Sequence, residues 1–198
     1  MRENVATDTP SDNEIIDRIL HGEKDLYALI VRKYNQRLYR IGMSIINDDA
    51  EMEDIMQVAY INAYENLGKF AFKASFSTWL TRILINESLL RIKNRRKSIY
   101  MHEGDLDKEM ANQQAPQPQT PAAHALNTEL KSILESAIRQ LPEKYRSVFI
   151  MREIEDMNIA ETQACLDISE ANVKVRLNRA KALLKHYLSG LYKKEDIL

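Results

Sequence analysis

Apolar residues recur at intervals of three and four positions along most of the chain, and no stretch alternates between apolar and polar residues for long enough to predict a strand. Spacing of this kind lets a helix bury one face against its neighbours. In the N-terminal half it predicts four helices, which pass through residues 15–20, 26–45, 49–63 and 76–97. The last of these is apolar nearly all round over its first turns, which predicts the central helix of that half.

In the C-terminal half, two helices joined by a tight turn are predicted between Asn158 and Leu188. Asn158 and Glu161 have the spacing of a capping box, which starts the first helix. Ser169 supplies another N-cap, so that the second helix begins at Glu170. The apolar stripe of the second helix faces the domain and consists of Val173, Leu177, Ala180, Leu184 and Leu188.

The opposite face of this second helix is basic and carries no acid between Glu170 and the end of the helix. Lysine and arginine neutralise phosphate, while asparagine, arginine and small apolar side chains can contact base edges in the major groove. By itself such a face is typical of an ordinary solvated helix. Combined with the turn, the caps and the absence of acids, it predicts a helix-turn-helix that binds duplex DNA.

One segment of the chain has the composition of a linker. Residues 105–125 hold three of the five prolines together with several glutamines and small residues, which is typical of a flexible connection. We therefore predict an all-α protein with two small helical domains, at residues 11–100 and 126–190, joined by a flexible linker at residues 101–125.

Charge is segregated along the chain, although the formal net charge is only -1. Five basic residues and no acid lie in the segment RIKNRRK (residues 91–97), and another five lie between Lys174 and Lys185. The segment DDAEMED (residues 48–54) is acidic instead. This separation predicts two surfaces for polyanionic partners and one surface for a basic partner.

Composition gives little support to catalysis or to a membrane protein. The four histidines are scattered, a single cysteine, Cys165, leaves no pair for a metal or a disulfide, and no glycine-rich phosphate loop is present. We therefore expect no enzymatic activity, no metal and no cofactor.

No apolar run is long enough to cross a membrane, and the polar N-terminus does not resemble a signal peptide. A cytoplasmic protein with a simply packed cysteine is expected.

Two longer motifs resemble a known family. DDAEMEDIMQVAYINAYENLGKF, followed by FSTWLTRILINESLLRIKNRRK, resembles the second conserved region of sigma factors of the extracytoplasmic function (ECF) class, group IV of the sigma-70 family. LPEKYRSVFIMREIEDMNIAETQACLDISEANVKVRLNRAKALL resembles their fourth region. The resemblance covers residues 26–97 and 126–188, in the expected order and across the expected linker.

The resemblance implies an alternative sigma factor that binds core RNA polymerase, directs it to promoters with particular minus-ten and minus-thirty-five elements, and helps to melt the DNA. In such proteins an acidic helix docks on the clamp helices of the largest polymerase subunit, where opposite charges set orientation and encounter rate. The corresponding residues here are Asp49, Glu51, Glu53, Asp54 and Gln57. The helix dipole alone also favours acids at a helix N-terminus, so both interpretations remain open.

The loop before the fourth helix, and that helix itself, resemble the part that captures the minus-ten element as single-stranded DNA. A protein can offset the cost of opening a duplex by holding an extruded base against apolar walls and following the strand with cations. The candidates are Lys73, Ser75 and Phe76 in the loop, Thr78, Arg82 and Asn86 on the helix, and Arg91, Arg95 and Arg96 for phosphates. Trp79, Ile83 and Leu90 are predicted to pack in the core. Phe70 and Phe72 fit either role.

In the C-terminal half the resemblance assigns the minus-thirty-five element to the helix-turn-helix. The corresponding residues are Ser169, Asn172, Lys174, Val175, Arg176, Asn178, Arg179 and Lys181. Arg176 borders the apolar stripe, so it either contacts phosphate or packs by its stem. The helix opened by Pro142 is expected to divide its surface between the core and the flap of the second polymerase subunit.

Two other function classes remain open. A stand-alone, dimeric helix-turn-helix regulator would bind a symmetric duplex site tightly by itself, whereas a sigma factor would bind duplex weakly alone and strongly with core polymerase. A helical adaptor without a DNA role would tolerate alanine at Lys174, Arg179 and Lys181. The acidic segment and the aromatic loop together favour the sigma factor, because a simple regulator needs neither. An anti-sigma factor or another recruiting protein is a further expected partner.

Overall fold

The computed structural model describes residues 10–102 and 125–195, with side chains described for residues 10–95 and 130–189. Within these ranges the chain is helical and contains no strand, which confirms the predicted all-α class. The helices are α1 (Asp12–Leu20), α2 (Tyr27–Ile46), α3 (Asp49–Glu65), α4 (Phe76–His102), α5 (Ala125–Arg139), α6 (Glu143–Phe149), α7 (Ile159–Leu166) and α8 (Glu170–Glu195). The predicted linker falls largely outside the described residues, and the domain boundaries stay predictions.

Helix α1 begins at the capping box that its sequence contains. The Ser11 hydroxyl accepts a hydrogen bond from the Glu14 amide at 3.3 Å, and the Glu14 carboxylate accepts one from the Ser11 amide at 2.7 Å. Asp12 then ties α1 to α2, because its carboxylate accepts hydrogen bonds from Lys33, at 2.6 Å, and from the Tyr34 hydroxyl. These polar contacts fix the orientation in which α1 presents its buried isoleucines to the domain.

Helix α4 is the centre of the N-terminal domain, where it packs against both α2 and α3. Leu80 and Leu84 are fully buried there. Helices α2 and α3 approach closely because residue 42 is glycine: a Cβ atom at Gly42 would lie 2.3 Å from the Met52 sulfur. Leu90 is 50% exposed, so its predicted place in the core is wrong. The adjacent Leu89 is 46% exposed as well, so this face of α4 lies outside the core at that point.

The helix-turn-helix of the C-terminal domain forms as predicted. Asn158 and Glu161 make both hydrogen bonds of the capping box, at 2.9 and 2.8 Å. Asp167 ends α7 in the left-handed conformation, with φ 52°, which aspartate tolerates better than most residues. The Ser169 hydroxyl accepts from the Asn172 amide at 3.3 Å, so α8 begins at the predicted residue. Local side-chain chemistry therefore sets the bounds of both helices.

The two domains share a hydrophobic core, which the sequence did not predict. Ile41, Ile45 and Ile85 of the N-terminal domain pack in one cluster with nine buried residues of the C-terminal domain. Those nine residues are Ala137, Ile138, Leu141, Ile150, Met151, Met157, Cys165, Ala180 and Leu184. The guanidinium of Arg146 reinforces this junction by donating to the Ser44 carbonyl at 2.7 Å. Helices α2 and α4 thus bury apolar residues on two sides, one within their own domain and one against the other.

Candidate polymerase and nucleic-acid interfaces

The predicted polymerase-binding residues lie together on the first three turns of α3 and are called the acidic surface here. Four of the five are exposed and Glu51 is half-buried. Asp48 precedes the helix as its N-cap, accepting from the Glu51 amide at 3.2 Å. The cap needs only Asp48, so capping does not account for the exposed Glu53 and Asp54.

Two members of the acidic surface already contact neighbouring side chains. Asp49 accepts a hydrogen bond from the Tyr39 hydroxyl, and this bond raises the pKa of Tyr39 to about 12. Asp54 forms an ion pair with Arg91 at 3.1 Å. Because Arg91 was predicted to contact phosphate, this pair places the acidic surface directly beside the basic end of α4. Binding sites for a basic partner and for DNA would therefore adjoin.

An exposed apolar pair extends the acidic surface along α3. Val58 is 44% exposed and Ile61 is 51% exposed, one turn beyond Asp54 and Gln57. Exposed apolar side chains next to charged ones are common at protein interfaces. Neither Val58 nor Ile61 was predicted from the sequence to belong to this surface. Their spacing of three and four residues from the acids is the signal that could have identified them.

The loop before α4 holds an aromatic cluster in which Phe76 is buried. Its ring is 3% exposed and packs 5.9 Å from Tyr34 and 5.5 Å from Trp79, measured between ring centroids. The prediction that Phe76 captures a base therefore conflicts with its position in the core. Phe70 is buried beside it, whereas Phe72 is 54% exposed. Phe72 is the aromatic residue of this loop that is accessible to a nucleobase.

The other predicted minus-ten residues divide into two groups. Lys73, Arg82, Asn86 and Arg95 are exposed, Arg91 is half-buried, and the side chain of Arg96 lies outside the described residues. Ser75 and Thr78 serve the structure as well: the Ser75 hydroxyl caps α4 by accepting from the Thr78 amide at 3.1 Å. Thr78 is only 4% exposed because α7 of the helix-turn-helix covers it. In this arrangement Thr78 is inaccessible to DNA.

The basic face of α8 is exposed. Of the eight residues predicted to read the minus-thirty-five element, seven are exposed and Arg176 is half-buried at the edge of the apolar stripe. Two lysines of this face form ion pairs, Lys174 with Glu170 at 2.6 Å and Lys181 with Glu153 at 3.0 Å. Surface pairs of this kind contribute little to stability, so phosphates can replace the carboxylates.

Cys165 packs as the sequence predicted. It is buried in the core that the two domains share, and burial raises the pKa of its thiol to about 12. Such a thiol stays protonated at neutral pH and is a poor nucleophile.

Among the residues that the structure describes, no group of three or more histidine, cysteine, aspartate or glutamate side chains is placed to bind a metal. None of the helices described is long and apolar enough to span a membrane.

A groove with a volume of about 560 Å³ separates α2 and the start of α3 from α5 and α6. Most of its surface is apolar, although many of the residues that line it are polar or charged. Its lining includes Tyr39, Arg40, Met43, Asp49, Leu134, Ile138, Arg139, Arg146 and Ile154. Leu134 and Ile154 remain largely exposed along this groove. A lining that combines apolar surface with charged groups suits an amphipathic segment of another protein.

Two family models match the chain, one in each predicted domain. The model of sigma-70 region 2 matches residues 30–98, and the model of sigma-70 region 4 matches residues 131–184. Both matches fall within the helices that carry the surfaces above.

Whole-chain relatives are similar over nearly their entire length. The ECF RNA polymerase sigma factor SigW of Bacillus subtilis is 30% identical over 179 residues, covering 89% of this chain and 96% of the relative. The RNA polymerase sigma-H factor of Pseudomonas aeruginosa is 27% identical, covering 91% and 95%.

Solved structures show the same fold. The sigma factor RpoE of Bartonella quintana, in complex with the anti-sigma factor NepR, has a TM-score of 0.63 and 17% identity, covering 82% of this chain and 96% of that chain. CnrH, in complex with the cytosolic domain of CnrY, has a TM-score of 0.61 and 20% identity, covering 91% and 99%.

Proposed function

This chain belongs to the ECF sigma factors of the sigma-70 family and is an alternative sigma factor of RNA polymerase, and we propose which of its surfaces bind polymerase and which bind promoter DNA. The acidic surface, extended by Val58 and Ile61, binds the clamp helices of the largest polymerase subunit. The basic face of α8 reads the minus-thirty-five element. The loop before α4 and the exposed residues of α4 capture the minus-ten element as a single strand.

One observation carries this proposal: three exposed surfaces of suitable charge lie on separate elements of a single chain. The acidic surface lies on α3, the basic face lies on α8, and the loop with Phe72 leads into α4. A DNA-binding regulator needs the second of these only. A sigma factor needs all three, because it must bind polymerase, recognise duplex DNA and hold an opened strand.

The exposure of the loop residues changes the proposed base-binding group. Phe72, together with Lys73, is accessible beside the start of α4, whereas Phe76 supports the loop from inside. An exposed aromatic ring can stack on an extruded base, and a neighbouring lysine can neutralise its phosphate. We therefore assign base capture to Phe72. Arg82, Asn86 and Arg95 continue the same strand-binding surface.

We also propose the finer assignments that follow from family membership. The chain is a group IV sigma factor that works in the cytoplasm and catalyses no reaction of its own. A recruiting or inhibiting protein, such as an anti-sigma factor, binds the groove between α2 and α5. The apolar lining of that groove and the exposed Leu134 and Ile154 support this assignment.

Reconstitution with core RNA polymerase tests the function directly. We expect the purified chain to form a complex with core polymerase and to start transcription at a defined set of promoters, identified by sequencing the 5′ ends of the transcripts. Transcription by core polymerase alone is the control. Tight binding of the isolated chain to a symmetric duplex site, without a complex with polymerase, would instead identify a stand-alone regulator.

Alanine at Arg179 is expected to reduce recognition of the minus-thirty-five element. Loss of a good base contact costs about 1–3 kcal/mol, so the preference for the correct element over base-pair variants should fall. Transcription from a set of single-base promoter variants measures this preference. Arg32→Ala, which removes an exposed arginine from α2, is the matched control. If the Arg179 variant discriminated among the promoters as well as the parent protein, the assignment of Arg179 would be wrong.

A further inference from the structure

One large apolar side chain lies exposed in the middle of the basic face of α8. Val175 is 51% exposed, whereas Val173, Ala180 and Leu184 of the same helix are buried. A β-branched side chain loses rotamer freedom in a helix, so valine stabilises an exposed helical position less than alanine would. Neither packing nor helix propensity therefore accounts for valine at this position. The residue is suited instead to a partner that the basic face binds.

The helical repeat places Val175 at the centre of the exposed face. Ala171, Val175, Asn178 and Ala182 follow one another at spacings of four, three and four residues, and all four are exposed. Positions with this spacing share one side of a helix, and here that side is opposite the buried Val173. The two alanines are too short to hold α8 away from a surface. The side chain of Val175 can therefore reach the floor of a groove.

Longer cationic side chains lie on both sides of Val175. Lys174 and Lys181 lie on one side, where each forms an exposed ion pair, and Arg179 lies exposed on the other side. Phosphate strands border the major groove on both sides, and base edges form its floor. Long cations at the flanks and a short side chain in the middle match that arrangement. Phosphate contacts would therefore turn Val175 toward the bases.

The chemistry of valine restricts which base it can recognise. In the major groove thymine presents its 5-methyl group, whereas the other bases are distinguished by their hydrogen-bond donors and acceptors. Valine has neither a donor nor an acceptor in its side chain. Contact with the methyl group removes apolar surface from water on both partners, whereas contact with a polar base edge would remove water without replacing its hydrogen bonds. An A·T pair with an accessible thymine is therefore the pair that Val175 favours.

We propose that Val175 contacts the 5-methyl group of one thymine in the minus-thirty-five element and thereby selects an A·T pair at that position. This inference rests on the proposed function, because it requires α8 to lie in the major groove of that element. The cations supply affinity for any duplex, since phosphates carry no sequence information. Val175 adds a preference at one position, and that preference depends on the methyl group alone.

Replacing thymine by uracil tests this contact, because it removes the 5-methyl group and leaves the base pairing unchanged. The full-length chain, assembled with core polymerase, first selects duplexes from a random pool, and the enriched sequence gives the element. Each thymine in the element is then replaced by uracil, one at a time, and binding is measured by competition. We expect one position at which uracil weakens binding about fourfold, which corresponds to the roughly 0.8 kcal/mol gained by burying one apolar carbon.

Val175→Ala is the decisive variant, because it removes the two methyl groups that would contact the thymine. We expect thymine and uracil to bind this variant equally well at the selected position. Val175→Ile keeps a branched apolar side chain and should keep the preference for thymine. Leu20→Ala is the matched control, because it truncates a side chain that is also 51% exposed, at the end of α1, and it should keep the fourfold preference of the parent protein.

Two results would overturn the role of Val175. One is an element in which no replacement of thymine by uracil weakens binding, and the other is a Val175→Ala variant that prefers thymine as strongly as the parent protein does. The selection and the comparison of thymine with uracil are repeated with the isolated chain. A failure to assemble with polymerase or to start transcription would therefore contradict the proposed function, while the isolated chain would still decide the role of Val175.

Discussion

Phe76→Ala is expected to lower the free energy of unfolding by about 3–5 kcal/mol, which is the usual cost of deleting a buried aromatic side chain. The ring fills a site between Tyr34, Phe70 and Trp79, and the cavity left behind cannot collapse easily because these neighbours are large. Urea unfolding, followed by circular dichroism, measures the change as a lower midpoint.

Phe72→Ala is the matched control, because it removes the same side chain from an exposed position of the same loop. We expect little change in stability. Instead, transcription from duplex promoters should fall more than transcription from a template that is already opened, because stacking on a base contributes about 1–3 kcal/mol. The reverse outcome, with Phe76→Ala stable and selectively defective in opening DNA, would restore the prediction made from the sequence.

Reversing the charges of Glu53 and Asp54 to lysine should greatly weaken the complex with core polymerase. These carboxylates are exposed on α3, and like charges facing one another across an interface cost several kcal/mol, or about a hundredfold or more in affinity. The fold should survive, because Asp48 rather than either of these residues caps the helix. Co-purification with tagged core polymerase, and titration of the complex, measure the loss.

Asp17→Lys/Asp25→Lys changes the net charge of the chain by the same amount at exposed acids outside α3. This control should bind polymerase normally, which separates the role of the acidic surface from that of overall charge. If both double variants bound core polymerase as tightly as the parent protein does, the clamp-helix assignment would have to be abandoned. A defect in both variants would show that net charge, rather than the acidic surface, governs association.

Much of the secondary structure was predictable because its determinants are local. The capping boxes at Ser11 and Asn158 lie within three residues of the groups that they satisfy, and the one at Asn158 was predicted from the sequence. The start of α8 followed in the same way from Ser169. The distribution of charged surfaces could be predicted equally well, because the charges that share one helical face follow from their spacing alone.

Local patterns could not assign the aromatic and apolar residues near the DNA-binding surfaces. Phe72 and Phe76 lie in the same short segment, yet the first is exposed and the second is buried. Phe76 is buried because it packs against the rings of Tyr34 and Trp79. Tyr34 belongs to α2, which is distant in the sequence. Leu90 was likewise predicted to be buried. It is exposed because it lies on a face of α4 that neighbouring helices leave uncovered, whereas Ile92, two residues further on, packs against the shared core.

The order of residues along this chain was sufficient to specify its helices, its caps, its segregated charges and its resemblance to a sigma factor, because each depends on groups a few positions apart. The packing of one domain on the other, the burial of Thr78 and the ion pair of Glu155 with Arg40 depended on contacts between residues more than 80 positions apart. An apolar stripe shows that a face will be buried. It does not show which surface will cover it, since hydrophobic attraction has no direction and many pairings remove similar areas from water.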